Sequence, residues 1–256
     1  MGTTDNRIWF STTCSQNGLP LNEGQLDQFE QLARRLLEWN QKINLISRKD
    51  EENFWTNHLL HSLSILFKIR IRTGTKILDL GTGGGLPGLP LKIARPDLAF
   101  TLLDSTQKKI NVVNDLIQDL ELTGCKAVWG RAEDVGRSKE HHRQYDVVVA
   151  RAVAPMKDLV QWAAPFLRTD QVSESSITDS TQQAGDPRVC LTTPSLVALK
   201  GGDLEGELGQ IRKLPSLGSI TTLALTLRGT SQLEEGEKKV VVVEMASHLK
   251  QKATHA

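Results

Sequence analysis

Short apolar segments alternate with helical patterns along most of this chain, and this alternation limits the folds that it can adopt. Seven segments are expected to form strands, at residues 76–80, 99–104, 126–130, 145–150, 195–202, 219–227 and 238–245. Between the first five, apolar residues recur every three or four positions, which predicts helices. Strands and helices in this order predict an α/β fold with a mostly parallel sheet and right-handed crossovers. The last two segments are expected to close the sheet as an antiparallel pair.

The regions outside this alternation indicate how the chain is divided. Residues 22–46 and 51–68 carry apolar residues at helical spacing, which predicts two helices ahead of the first strand. We therefore expect residues 1–70 to form an N-terminal tail and helical cap, and residues 71–256 to form the domain that contains the sheet. Residues 169–194 are rich in Ser, Thr, Gln and Asp, so we expect a disordered insertion there.

Composition argues against several classes of protein. The net charge of +1 gives no whole-chain signal for nucleic acid, although it is compatible with a local basic patch. The three cysteines are far apart and form no Cys-x-x-Cys pair, so we expect neither a metal site nor disulfides, and a cytoplasmic location. The chain has no apolar run of membrane-spanning length and no apolar signal core near its start, so no membrane association is expected.

The first predicted strand leads into a loop, residues 81–88, that contains five glycines. Residues 83–88 match the dinucleotide pattern G-x-G-x-x-G, and Asp104 ends the next strand, where a ribose-binding acid is expected. Two residues argue against a dinucleotide. The carboxylate of Asp79 would face a pyrophosphate, and Pro87 lacks the backbone N–H that a phosphate site needs.

S-adenosylmethionine satisfies both acids, because it carries adenosine at one end and an amino acid at the other. Asp104 is expected to bind the ribose hydroxyls, and Asp79 to meet the ammonium group directly or through water. Gly81, Gly83 and Gly85 would let the backbone approach the middle of the ligand. We expect valine at position 83 or 85 to abolish cofactor binding in a protein that still folds.

Two further segments lie where predicted strands end. In "GRAED", Ala132 and Glu133 are compatible either with an adenine contact or with the first turn of a helix, whose dipole favours acids. In "VARAVAP", Arg151 would project from the carboxyl end of the sheet, where ligands bind in this architecture. A surface salt bridge is the alternative for Arg151, and its position favours a ligand contact.

These segments carry a resemblance to a known family, which runs from about Leu36 to Gly201. Its motifs are "WNQKINL", "LDLGTGGGLPGLPLKIARPD", "TLLDSTQKK", "GRAED", "VARAVAP" and "ALKG". The sequence resembles the glucose-inhibited division protein B family, bacterial methyltransferases that modify guanine N7 in small-subunit ribosomal RNA. The resemblance implies a Rossmann-like class I S-adenosylmethionine-dependent methyltransferase with an N-terminal helical extension. It implies cofactor contacts at Gly81, Leu86, Asp104, Ser105, Thr106, Ala132, Glu133 and Arg151.

The chain departs from the family at a helix ahead of the first strand. The family usually has Arg-His-x-x-Asp-Ser there, whereas this chain has Asn57 and His61 in place of the arginine and the aspartate. His58 and Ser62 match the family. His58 is therefore either a residue on the cofactor or RNA side or a hydrogen-bonded structural histidine.

The proposed chemistry needs no catalytic acid or base, because guanine N7 has a lone pair and no proton. We expect the protein to act by positioning. Cations near the crevice would hold RNA, and the candidates beside His58 are Arg95, Lys108 and Lys200, with Arg151 shared with the cofactor. The expected partner is ribosomal RNA or the small ribosomal subunit, and the protein is expected to be a monomer.

Three other functions are compatible with the sequence. The first is methylation of a different substrate, because the sequence motifs indicate the cofactor-binding residues more clearly than the substrate-binding residues. The second is a module that senses S-adenosylmethionine without turnover. The third is a nicotinamide enzyme.

Overall fold

The computed structural model describes residues 3–169 and 187–246. Its helices are α1 (Thr3–Gln16), α2 (Glu23–Asn40), a π-helical turn (Trp55–Leu60) that continues into α3 (His61–Lys68), α4 (Gly88–Ala94), α5 (Gln107–Asp119), α6 (Ala132–Val135), α7 (Met156–Ala163), α8 (Glu205–Ile211) and α9 (Gln232–Glu235). Its strands are β1 (Ile69–Arg70), β2 (Lys76–Leu80), β3 (Ala99–Asp104), β4 (Cys125–Trp129), β5 (Val147–Arg151), β6 (Val189–Cys190), β7 (Ser195–Gly201), β8 (Leu217–Ala224) and β9 (Lys238–Met245). Across the described ranges, every helix is too short or too polar to cross a lipid bilayer.

Seven of these strands form one sheet in the order β4-β3-β2-β5-β7-β9-β8. The first five strands in this order, β4, β3, β2, β5 and β7, are parallel to one another, and β9 is antiparallel to both β7 and β8. The predicted α/β fold, the seven strand segments and the closing antiparallel pair are therefore confirmed. After β2 the chain continues to β3 on one side of β2, and it later returns to place β5 on the other side of β2. This reversal of strand order marks the edge at which ligands bind in open α/β sheets.

The N-terminal helices pack on one face of the sheet and share its core. The ring of Phe10 in α1 lies 5.0 Å from that of Phe29 in α2 and 5.1 Å from that of Trp55, in edge-to-face geometry. Gln25 completes a capping box with Asn22 at the start of α2. Its side-chain amide also donates to the carbonyls of Ile93 and Ala94 at the end of α4. These contacts place α2 beside the segment that follows the glycine loop.

Two predicted helices have different limits in the structure. The helix expected over residues 22–46 ends at Asn40, because the side-chain oxygen of Asn40 accepts from the backbone N–H groups of Leu45 and Ile46. These bonds fold the chain back at the helix end. The helix expected over residues 51–68 is a π-helical turn followed by α3.

Most of the insertion expected over residues 169–194 lies outside the described residues, at 170–186, and its extent stays a prediction. Val189 and Cys190 form β6, which pairs in parallel with Ile69 and Arg70 of β1. Neither this short pairing nor helix α1 is anticipated from the sequence.

Candidate functional site

The glycine loop joins β2 to α4 in a conformation that three of its residues enforce. Gly81, Gly83 and Gly85 have φ angles of 72°, 57° and 91°, a region that L-residues adopt only at a cost. The backbone N–H groups of Gly81 and Thr82 donate to the carbonyl of Leu103, at 2.8 and 2.9 Å. The loop is thereby tied to the end of β3.

The surroundings of the three glycines differ. A Cβ atom at Gly81 would lie 2.7 Å from Val153, and one at Gly85 would lie 2.3 Å from Leu89, so packing requires glycine at both. A Cβ atom at Gly83 would meet nothing within 4 Å. The short contact with Leu89 in α4 therefore argues against the expectation that valine at 85 leaves a folded protein, which stays a prediction. The same expectation for Gly83 also stays a prediction.

Asp79 lies beneath this loop and is fully buried. Its Oδ2 atom accepts from the Thr82 hydroxyl at 2.6 Å and from the Gly88 backbone N–H at 2.8 Å. Within the described residues its Oδ1 atom has no hydrogen-bond partner. Burial raises the pKa of this carboxyl to about 6, although the two hydrogen bonds and Arg151 act in the other direction. A cationic group beside Oδ1 would stabilise the charged form.

Asp104 ends β3 and holds the loops on both sides of it. Its Oδ2 atom accepts from the Gly83 N–H at 2.9 Å, and its Oδ1 atom accepts from the Thr106 N–H at 2.8 Å. Each carboxylate oxygen accepts a second hydrogen bond readily. Asp104 can therefore bind a pair of hydroxyl groups while it keeps the glycine loop in place.

A cleft opens at the carboxyl ends of β2, β3 and β4. Its lining consists of Leu80, Gly81, Leu103, Asp104, Ser105, Gly130, Arg131, Ala132, Glu133, Val153 and Trp162. Five of the predicted cofactor residues are brought together here, namely Gly81, Asp104, Ser105, Ala132 and Glu133. Of the residues not predicted, Gly130 and Arg131 lie inside the "GRAED" segment and Val153 inside "VARAVAP". Trp162 comes from α7 and has no signal in the sequence.

The other predicted cofactor residues lie outside this cleft. Leu86 is buried in the core, and its N–H donates to the carbonyl of Thr82. Thr106 precedes α5 and contacts Asp104 through its backbone. Ala152, which follows Arg151, has a φ of 52°, and this turn directs Val153 toward Gly81. Whether each of these residues contacts a cofactor stays a prediction.

Arg151 lies against the π-helical turn. Its guanidinium donates to the carbonyl of Asn57 at 3.3 Å and contacts Nδ1 of His58 at 3.1 Å. Burial lowers the pKa of Arg151 to about 10, and the carboxylates of Asp79 and Asp50 partly offset this effect. Burial also lowers the pKa of His58 to about 4 and that of His61 to about 3, with Arg151 adding to both shifts. Both imidazoles are therefore neutral at pH 7.

The predicted RNA cations occupy different places. Arg95 does not lie near the crevice, because α4 runs back from the glycine loop and leaves it at the amino edge of the sheet. There it pairs with Asp97 at 2.6 Å and donates to the carbonyl of Ile71. Lys108 is exposed in the first turn of α5.

Lys200 is mostly buried, with its side chain 12% exposed. Its ammonium lies 2.8 Å from the Glu207 carboxylate and donates to the carbonyl of Ala154 at 3.0 Å. Glu207 in turn accepts from the N–H of Met156 at the start of α7. These bonds support the loop that carries Val153 into the cleft, so the lysine has partners within the protein.

Comparison with known proteins identifies relatives of this chain. The family model GidB, rRNA small subunit methyltransferase G, matches residues 25–173. The ribosomal RNA small subunit methyltransferase G of Caldanaerobacter subterraneus subsp. tengcongensis is 41% identical over 154 residues, which is 60% of this chain and 64% of that protein. The protein of the same name from Bacteroides fragilis strain YCH46 is 37% identical over 228 residues, covering 86% and 92%. The alignments with the first three relatives span 64%, 63% and 62% of their lengths.

Solved structures share the fold at low sequence identity. A mutant of MtNAS in complex with S-adenosylmethionine has a TM-score of 0.50 and 12% identity, covering 86% of this chain and 75% of that one. A predicted O-methyltransferase from Agrobacterium tumefaciens has a TM-score of 0.50 and 11% identity, covering 75% and 82%. At this level of identity the comparison shows that the fold is the same.

Proposed function

Because this chain belongs to the rRNA small subunit methyltransferase G family, we propose that it transfers a methyl group from S-adenosylmethionine to guanine N7 in small-subunit ribosomal RNA. The observation that carries the proposal is the pair of carboxylates at the glycine loop. Asp79 has a buried oxygen that finds no partner among the residues the structure describes, and each carboxylate oxygen of Asp104 can accept a further hydrogen bond at the cleft. A ligand with an ammonium group and a ribose fits both residues, whereas a pyrophosphate would be repelled by Asp79.

The residues of the chain fit the two ends of this cofactor. Asp104 would accept from the ribose hydroxyls, and the cleft beyond it, with Ala132 and Glu133, would take the adenine. Asp79 would meet the ammonium group through Oδ1. The backbone at Gly83, where a Cβ atom would have no neighbour within 4 Å, leaves room for the ligand between them.

The remaining chemistry is positioning. S-adenosylmethionine, when bound, supplies a methyl group on a positively charged sulfur. Guanine N7 has a lone pair and no proton, so no side chain of this protein has to accept a proton during the transfer. Burial raises the pKa of Asp79 beneath the glycine loop, and the charge of Arg151, which contacts the neutral His58, partly offsets this effect. In this proposal the side chains of His58 and Arg151 would help to orient the base and exclude water, which contribute to rate without acid-base catalysis.

The proposed setting is the bacterial cytoplasm, where the substrate is ribosomal RNA or the small subunit. Exposed cations at the carboxyl edge of the sheet would contact phosphates. Among the predicted RNA residues, this role suits Lys108 and leaves Arg95 and Lys200 to their partners within the protein.

Two measurements test this function. Calorimetry should detect binding of S-adenosylmethionine and no binding of NAD. Labelled-methyl transfer to isolated small subunits, followed by mapping of the labelled base, should place the methyl group on a guanine N7. If the protein binds S-adenosylmethionine but methylates no RNA, it is a sensor of this ligand. If it methylates another class of molecule, that class and not ribosomal RNA is its substrate.

Asp104→Asn tests the assignment of the cleft. It removes one charge-assisted acceptor for the ribose, so we expect cofactor affinity to fall about ten- to hundredfold. Asp97→Asn is the matched control, because Asp97 pairs with Arg95 at the opposite edge of the sheet. Equal affinities in the two variants would remove Asp104 from the site.

A further inference from the structure

Trp129 is the last residue of β4, and 59% of it is exposed. It lies next to Asp104 in the register of the parallel pair β3-β4. Its indole is held in place, because Nε1–H donates to the carbonyl of Ser105 at 3.1 Å. Ser105 and Gly130 line the cleft, but the indole does not. The ring is therefore fixed on the rim of the proposed cofactor cleft, with much of its surface in solvent.

Helix α5 does not cover this ring. Cys125 and Ala127 share a face of β4 with Trp129, and both pack against the core. The helix on this face begins at Gln107, and Trp129 is bonded to the turn that precedes it. The strand thus carries its largest side chain past the end of the core. Single exposed apolar residues are common and need no function, so the neighbouring charges decide the interpretation.

Three cations lie on the segments next to this indole. Lys108 and Lys109 are in the first turn of α5, and Arg131 follows Trp129 by two residues. In the described part of the chain, no carboxylate oxygen lies within 4.0 Å of any of the three. The first turn of α5 has no acidic residue, although a helix dipole favours acids there and opposes lysines. The lysines therefore do not serve the stability of the helix.

An aromatic face among unpaired cations suits single-stranded RNA. Bases of a duplex are stacked on each other, whereas an unpaired base can stack on an aromatic side chain. Lys108 and Lys109 would hold the flanking phosphates from outside the cleft, and Arg131 would do so from the edge of the cleft that it lines. Glu133 and Asp134 occupy the first turn of the adjacent α6, where they complement its dipole, and they limit the cationic surface on that side.

We propose that Trp129 stacks on an unpaired base next to the target guanine, so that the substrate must be single-stranded at this position. This inference rests on the proposed function. The rim of the cleft would then recognise RNA, while the cleft itself recognises the cofactor. The adenine of the cofactor is not the expected partner, because the indole lies outside the residues that line the cleft.

Two substitutions separate stacking from a structural role. Trp129→Phe keeps an aromatic face and loses the donor to Ser105, whereas Trp129→Gln keeps a donor and loses the face. We expect Trp129→Gln to raise the KM for isolated small subunits roughly ten- to hundredfold, and Trp129→Phe to retain most of the wild-type value. Both should bind S-adenosylmethionine with wild-type affinity. Ile8→Ala is the control, because Ile8 is similarly exposed, at 62%, on the distant helix α1.

Salt dependence provides an independent readout. Stacking releases few counterions, so Trp129→Gln should leave the slope of log(kcat/KM) against log salt unchanged. Lys108→Ala should reduce that slope by about 0.7, the value for one phosphate contact on a single strand.

A wild-type KM in Trp129→Gln would overturn the proposal, as would a defect in Trp129→Phe as large as that in Trp129→Gln. Weaker cofactor binding in Trp129→Gln would assign the ring to adenine instead. A wild-type protein that methylates no small subunits would overturn the proposed function first, and this inference with it.

Discussion

At the scale of single residues, the carboxylate of Asp79 holds the glycine loop in place and, as a buried charge, also lowers the stability of the folded protein. One carboxylate oxygen organises the loop through Thr82 and Gly88, and the other is buried without a partner in the described residues. A buried charge of this kind destabilises the folded protein until a cation neutralises it. Natural proteins keep such a feature where a ligand uses it.

The pKa of Asp79 gives this cost a pH dependence. Its pKa rises from 3.8 to about 6 on folding, so between these values the folded protein binds more protons than the unfolded one. Stability from this group is therefore complete below pH 4 and is lost as the pH rises through 6. The full loss is on the order of 3 kcal/mol.

We predict that Asp79→Asn gains stability relative to the wild type as the pH rises from 4.5 to 7.5, because the amide does not ionise. The same variant should bind S-adenosylmethionine more weakly at pH 7.5. Thermal melts at the two pH values and calorimetry check both parts. Asp146→Asn is the control, since Asp146 is a buried acid that is bonded to Lys76 and Arg168 and is distant from the loop. A constant difference between variant and wild type across this range would contradict the assignment.

At the scale of elements, two glycines of the loop meet different requirements. Gly85 is required by packing against Leu89, and Gly83 is expected to leave space for the ligand. Gly85→Ala should destabilise the protein, because its Cβ would lie 2.3 Å from Leu89. Gly83→Ala should lower the free energy of unfolding by only about 1–2 kcal/mol, the penalty for its φ of 57°. Relative to this small loss of stability, its loss of cofactor affinity should be larger than that of Gly85→Ala. Melting temperatures and calorimetry on both variants decide this, and a folded Gly83→Ala protein with wild-type affinity would place the ligand elsewhere.

The bonds of Lys200 lead to a prediction about a second element, the loop between β5 and α7. Lys200→Ala removes the bonds to Ala154 and Glu207, so Val153 should become less well placed in the cleft. We expect weaker cofactor binding and no change in the salt dependence of methyl transfer. Glu207→Gln should give a similar but smaller effect. Unchanged cofactor binding combined with a reduced salt slope would restore Lys200 as an RNA contact.

The elements that could be predicted are those whose pattern is local. Each strand of the main sheet is a short apolar segment between turn residues, and the helix after the glycines is found at residues 88–94 as expected. Helix α1 lacks a regular apolar face. It is held instead by Phe10 in the core and by Arg7, which pairs with Glu23, Asp27 and Glu30 of α2. Such long-range contacts leave no local signal.

The same distinction applies to the candidate site. Asp79, Asp104 and the glycines could be proposed for the site because strand, loop and acid follow one another in the sequence. Trp162 and the contact of Arg151 with His58 depend on how α7 and the π-helical turn pack, so no spacing indicates them. The sequence predicts Arg95 at the crevice, but α4 separates Arg95 from the glycine loop and carries it to the amino edge of the sheet.

At the scale of the whole molecule, the N-terminal helices and the sheet form one connected core. Buried residues of α1 and α2 belong to the same apolar cluster as those of β2, β3 and β5. The cap also reaches the glycine loop, since a Cβ atom at Gly84 would lie 3.3 Å from Leu45 and 3.6 Å from Leu36. The stability of the cap should therefore affect the cofactor site, and the expected boundary at residue 70 stays a prediction that can be tested.

Phe10→Ala tests whether the cap unfolds with the rest of the protein. Phe10 is fully buried between Phe29 and Trp55, so the substitution should cost about 3–5 kcal/mol. For a chain of this size the melting temperature should fall by roughly 6–20 °C. Because the core is continuous, we expect one cooperative transition, monitored equally by calorimetry and circular dichroism, and weaker S-adenosylmethionine binding near that temperature. Phe10→Leu should recover most of the stability. If a first transition instead unfolds the cap while a second keeps its wild-type temperature and cofactor affinity, the helices before residue 70 are an independent unit, and their contact with the glycine loop does not contribute to the site.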